Sequence, residues 1–143
     1  MSERFTNLEH AVLEMMLAGD NSDLKILREQ FSKAGVLTRE MTGHGFFTNL
    51  EISAVFPRLS RKGRVAITDI SANLPKLKNG AGFVLFVDDG ALSCLEGFSY
   101  DEFWPDSTVG FELSYLQEVP RGSGKLISSK QRDVVFALKD FSA

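Results

Sequence analysis

Cys94 with His44 is the nucleophile–base pair that the composition permits. A thiol becomes reactive near neutral pH only when a neighbouring base or cation draws off its proton. His44 stands between two glycines in "TGHGF", where the backbone can approach other segments closely and the ring can face solvent. Cys94 lies in the apolar run "ALSCLEGF", where a buried, inert thiol is the ordinary outcome. A small hydrolase or ligand-binding protein using His44, Cys94 and an acid from 96–106 is therefore the alternative reading. It requires the three to meet in one pocket.

Acid is the second concentration of chemistry. The stretch "GFVLFVDDGALSCLEGFSYDEFWPD", residues 82–106, holds six carboxylates, four phenylalanines, a tyrosine and the single tryptophan, but no Lys or Arg. Acid–base catalysis needs two carboxyls in different environments a few ångströms apart. Asp88 and Asp89 instead occupy the position of a hairpin turn, which favours Asp for its geometry alone. Asp101, Glu102 and Asp106 surround Trp104-Pro105 in a loop with no histidine nearby in sequence. Tyr and Trp dominate interface energetics, so this pattern suits recognition better than catalysis. The candidate binding residues are Glu96, Tyr100, Asp101, Glu102, Trp104 and Asp106, and no residue is assigned a catalytic role. In the competing structural reading, Phe98, Tyr100, Phe103 and Trp104 close over the core while the acids are simply solvated.

No metal or cofactor is called for. "DDGALSCLEGF" lacks the alternating oxygen ligands of a calcium loop. His10, His44 and Cys94 include none of the short ligand pairs of a zinc site. "GHGFFTN" and "NGAGF" are glycine-rich but have neither the Lys-Ser/Thr ending of a P-loop nor the dinucleotide fingerprint.

Charge is segregated along the chain. Residues 79–120 contain eight acids and no base, leaving 11 acids against 16 bases elsewhere. Four of those bases fall in "RLSRKGR", residues 58–64, and five follow Pro120. Such division can steer partners of opposite charge, unless the fold brings the two blocks together. A pI of about 5.4, and no aromatic platforms among the bases, argue against nucleic acid. The lone cysteine, the absence of a signal-peptide pattern in "MSERFTNLEH" and the short apolar runs predict a cytoplasmic protein without a membrane span.

The elements that must position these groups follow from spacing. Thr6 with Glu9 is a capping-box pattern, and Leu8, Ala11, Val12, Met15 and Met16 follow at helical spacing up to Gly19. "DNSD" restarts a second helix, with Leu24, Leu27 and Phe31 on one face up to Gly35. From Val36 short strands alternate with turn residues, and Asp-Asp-Gly between "FVLFV" and "LSCLEGFSY" is a strong hairpin signal. A two-residue loop, or three residues with a bulge, decides which face Cys94 occupies. The reading is an α+β domain over residues 1–118, with an N-terminal αα-hairpin packed on an antiparallel four- to five-stranded meander. Residues 119–143 read as a polar connector and a C-terminal helix or tail. There Val134, Val135, Leu138 and Phe141 form a stripe, and Ser128 or Ser129 is the cap.

The pieces "LREQ…TRE.TG.GFFT", "NGAGFVLFV.DG.L..LEGF.YDE.WP" and "F.L.YL", spanning about residues 8–116, resemble a family of small uncharacterised bacterial proteins. The resemblance implies a compact bacterial cytosolic protein and assigns no activity, cofactor or catalytic residue.

Together these features predict a non-enzymatic module whose acidic-aromatic surface recognises a basic protein, in the manner of an immunity protein or antitoxin. In that expectation the strands of 82–106 turn their rings to the core and their carboxylates to water.

Overall fold

The computed structural model describes residues 4–142. Two helices open the chain, α1 (Asn7–Met16) and α2 (Ser22–Phe31). The capping box is present in both directions: Glu9 N–H donates to Thr6 Oγ1 (3.1 Å) and Thr6 N–H donates to Glu9 Oε1 (2.8 Å). α1 stops at Met16, short of Gly19, and Asn21 caps α2 by accepting from the N–H groups of Asp23 and Leu24.

Eight strands follow: β1 (Gly35–Met41), β2 (Gly45–Glu51), β3 (Arg64–Ile67), β4 (Ile70–Asn73), β5 (Ala81–Asp88), β6 (Ala91–Ser99), β7 (Glu112–Glu118) and β8 (Leu126–Ser129). They form one antiparallel sheet in the order β1-β2-β6-β5-β4-β7-β8, with β3 also pairing β5. The α+β class is as expected, but the expected four to five strands fall well short of the observed eight. "RVAITDISAN" is two short strands, which lie along successive halves of β5 and part at Thr68-Asp69. β8 arises inside the polar connector, where it pairs with β7 through Leu126–Ser129. Nor is the sheet a simple meander, because β2 crosses to β6 and β4 to β7.

The C-terminal segment is docked. α3 (Val134–Ala137) is capped by Asp133 rather than by a serine, since Ser128 and Ser129 belong to β8. A 3-10 turn (Lys139–Ser142) follows, and Arg61 donates to the Phe141 carbonyl at 3.0 Å. Ala137 and Leu138 are buried in the core.

The helices pack on one face of the sheet. Val12, Leu13 and Met16 of α1 and Leu24 and Leu27 of α2 meet Ile67, Ile70, Phe83, Leu85 and Leu95, and all are essentially inaccessible to solvent. At roughly 1.5–3 kcal/mol per fully buried large side chain, this interface is the main source of stability. Buried polar side chains stitch the layers together. Gln30 of α2 donates to the carbonyls of Pro57 and Gly90 and accepts from Leu92 N–H. The opposite face of the sheet carries no helix among the described residues. Among the described residues, no helix is long and apolar enough to cross a membrane.

Candidate functional site

The β5–β6 hairpin turns through Asp89 and Gly90, both at positive φ (48° and 82°), with Asp88 opposite Ala91. The turn is thus the two-residue form, and a separate bulge follows, because Val87 pairs with Leu92 but Phe86 with Cys94. Ser93 is the extra residue. The bulge resets the alternation, so Leu92 and Leu95 face the helices while Cys94, Glu96 and Phe98 share the helix-free face. Their partners on β5 are Phe86, Val84 and Gly82, and on β2 they are Asn49, Phe47 and Gly45.

The rings therefore do not all turn inward. Phe83 is buried under the helices, whereas Phe86, three positions on, must point to the other face. Phe47, Phe86 and Phe98 lie half-buried on the helix-free face, and Tyr100 meets Phe98 edge-on at 5.5 Å. Both of the latter rings rest over Gly82, where a Cβ would stand 2.6 Å from Phe98 Cζ. Glu96 sits among these rings with Phe47 and Val84 as its cross-strand neighbours. Burial raises its pKa, and no hydrogen bond or ion pair reaches its carboxylate from the described residues. Arg64, which shares this face, is held by Asp88 through contacts of 2.7 and 2.9 Å and lies over the Phe86 ring.

The loop after β6 divides the other candidates. Asp101 adopts positive φ (61°) and is exposed. Glu102 accepts from the backbone N–H groups of Lys78 (3.1 Å) and Asn79 (3.0 Å), which hold its carboxyl below the usual range. Its own carbonyl accepts from Ser99 Oγ and from His44 Nδ1, the latter at 2.8 Å. Glu102 is a clamp between two loops. Trp104 turns away from Tyr100, toward the helix side, and meets Phe46 edge-on at 5.4 Å.

Trp104 and Asp106 line a cleft of about 400 Å³ between the start of α1, the ends of β1 and β2 and the 104–108 loop. Its floor holds Glu9, 1% exposed, whose carboxylate takes two contacts from Arg39 (2.9 and 2.7 Å) and one from the Thr48 hydroxyl. Burial opposes ionisation of Glu9, yet the bonds from Arg39, Thr48 and the Thr6 N–H outweigh it and lower the pKa. Breaking such a pair by removing one partner costs about 3–5 kcal/mol, so Arg39 is not released easily to another anion.

His44 and Cys94 are not brought together. His44 lies beside Ser99, its backbone carbonyl accepting from Ser99 N–H at 2.8 Å, and its ring stacks on exposed Phe103. Cys94 is five residues back along β6, about 17 Å at a rise of about 3.4 Å per residue. Cys94 is 7% exposed, and burial raises its pKa despite the nearby Arg64. The basic segment 58–64 meets the acidic one at the hairpin tip only, through Arg64–Asp88 and the Gly63 N–H bond to Asp89. Among the described residues, no three His, Cys, Asp or Glu side chains converge as a metal site.

Inspection of the sequence missed Phe47 and Phe86 as surface groups, and Glu9, Arg39 and Phe46 as parts of a cleft. Within "GFVLFV" no polar residue marks the outer face, and the first one on it is Asp88 at the turn. For the cleft, the capping box was a visible sign of Glu9, but nothing local paired it with Arg39. Comparisons of the chain with protein-family models, with curated proteins and with solved structures find no match.

Proposed function

We propose that the protein is a non-enzymatic binding module whose helix-free sheet face recognises a basic protein. The observation that carries the reading is Glu96, a partly desolvated carboxylate with no cation partner among the described residues, set among Phe47, Val84 and Phe98. A partner's Lys or Arg placed there gains a charge contact while the surrounding rings exclude water. The strand register adds Glu40 and Glu112 to the same face, while Arg64 is already neutralised by Asp88. Of the sequence candidates, Glu96 and Tyr100 belong to this surface, Asp101 flanks it, Glu102 supports it, and Trp104 and Asp106 do not contribute. An inhibitor of a cationic enzyme, of the immunity or antitoxin kind, fits this chemistry.

The test is affinity capture from native lysate with mass spectrometry, comparing the wild type with Glu96→Gln, Phe98→Ala and Asp106→Asn at low and high salt. Basic proteins should be retained at low salt by the wild type and by Asp106→Asn, but not by the other two. Capture that is indifferent to Glu96 and to salt, or that yields no basic protein, overturns the proposal.

A further inference from the structure

We propose that the cleft between Trp104 and Arg39 is a binding site for an organic ammonium group. Trp104 is half-buried in the cleft lining and Phe46, 5% exposed, packs edge-to-face against it at 5.4 Å, so the indole is the aromatic wall open to a ligand. Aromatic faces carry negative potential and attract alkylammonium ions, an indole most strongly. Met41, 61% exposed, supplies an apolar wall for the alkyl groups. At about 400 Å³ the cleft suits a small ligand.

Charge selects the cation. Arg39 is neutralised by Glu9 through the two-point pair, leaving Asp106 at the rim with no hydrogen bond or ion pair among the described residues. An anion would have to draw Arg39 away from Glu9 and strand a carboxylate that is 1% exposed. A neutral ligand would leave Asp106 unused. An ammonium group satisfies Asp106 and the Trp104 ring together and leaves the Glu9–Arg39 pair intact. This site lies apart from the Glu96 face, so either assignment can fail without the other.

Trp104 is the chain's single tryptophan, so its emission reports on the cleft directly. Tetramethylammonium chloride is titrated at ionic strength held with NaCl, following Trp104 emission and saturation transfer to the probe's methyl protons by NMR. Tert-butanol and acetate serve as neutral and anionic probes. Saturable binding of tetramethylammonium is expected, weakened about tenfold in Asp106→Asn and in Trp104→Leu, the latter read by NMR, with folding checked by circular dichroism. A second arm compares n-butylammonium with the peptide acetyl-Gly-Lys-Gly-amide. Binding of both assigns the site to ammonium groups of free or polypeptide origin, and binding of the free amine alone assigns it to small molecules. No saturation by any ammonium probe, equal binding of tert-butanol, or saturation by acetate instead overturns the proposal. So does an unchanged affinity in Asp106→Asn.

Discussion

Arg132 and Asp69 close a two-point ion pair, 2.9 Å at each contact, with side chains 6% and 1% exposed. Arg132 also donates to the Ala18 carbonyl at 2.7 Å, and the Asp69 backbone carbonyl accepts from Leu116 N–H. The β3–β4 break, the end of α1, β7 and the C-terminal segment therefore meet at one charge pair. Asp69→Ala strands the guanidinium and should cost about 3–5 kcal/mol in urea unfolding. The double variant Asp69→Ala/Arg132→Met should recover part of that loss, and a double variant no more stable than the single one would refute this account of the pair.

Gly90→Val should be severe. Gly90 is at φ 82°, and a Cβ there would lie 2.1 Å from the Leu59 carbonyl oxygen. Backbone strain alone is worth about 1–3 kcal/mol, and the clash adds displacement of the 57–60 loop. Thermal unfolding reads the effect, and an unchanged midpoint would mean that the turn accommodates a side chain.

Stability should fall in acid through two carboxylates. Hydrogen bonds from Arg64 and Ser93 bring the Asp88 pKa down to about 2, and the Glu9 pKa is also lowered. A lowered folded-state pKa contributes stability that is complete above the unfolded-state value and is lost as pH falls through the folded one. Urea midpoints should thus decline below about pH 4 toward pH 2. Asp88→Asn should flatten part of that decline, while a midpoint independent of pH there would contradict the assignment.

Glu96 has the opposite sign. Its raised pKa favours the folded state below the unfolded-state pKa, and that contribution is lost as pH rises through the folded one. Glu96→Gln should therefore stabilise the free protein at neutral pH, by about 0.5 kcal/mol, even as it removes partner binding. A loss of stability would show that the carboxylate has a compensating partner.

Cys94 offers a reporter for the same face. Burial keeps it a thiol at neutral pH, so labelling by a disulfide reagent should be slow and should accelerate with rising pH. Bound partner should slow labelling further, because Cys94 shares a face with Glu96 and Phe98. Rapid labelling at neutral pH, or labelling blind to partner, would count against that placement.

Helix starts were legible because their signals are local: Thr6 with Glu9, and Asn21 before α2. The hairpin at Asp89-Gly90 was legible for the same reason. The bulge at Ser93 was not, since it is defined by pairing with another strand, and one inserted residue reverses the facing of everything before it. Glu102 reads from the sequence as a candidate binding residue beside Trp104, and only the folded chain brings the Lys78 and Asn79 N–H groups to it. The division of the acidic-aromatic stretch into an outer face and a cleft follows from how the 100–106 loop folds back, which no spacing rule encodes.

An open sheet ends in two strands with unpaired backbone groups, and these invite edge-to-edge stacking of copies. The two ends of the strand order carry deterrents, and β3, which pairs with β5 alone, has its Ala66 N–H taken by the Asp140 carboxylate. β1 is bent by its own irregularity between Val36 and Thr38, and it sets Arg39 and Glu40 side by side. β8 has only four residues, bracketed by Lys125 and Lys130, so a neighbour pairing antiparallel would bring like charges together. Guarded margins leave the ring-lined, helix-free face as the broad exposed apolar surface of the sheet, away from the strands whose backbone could template a neighbour.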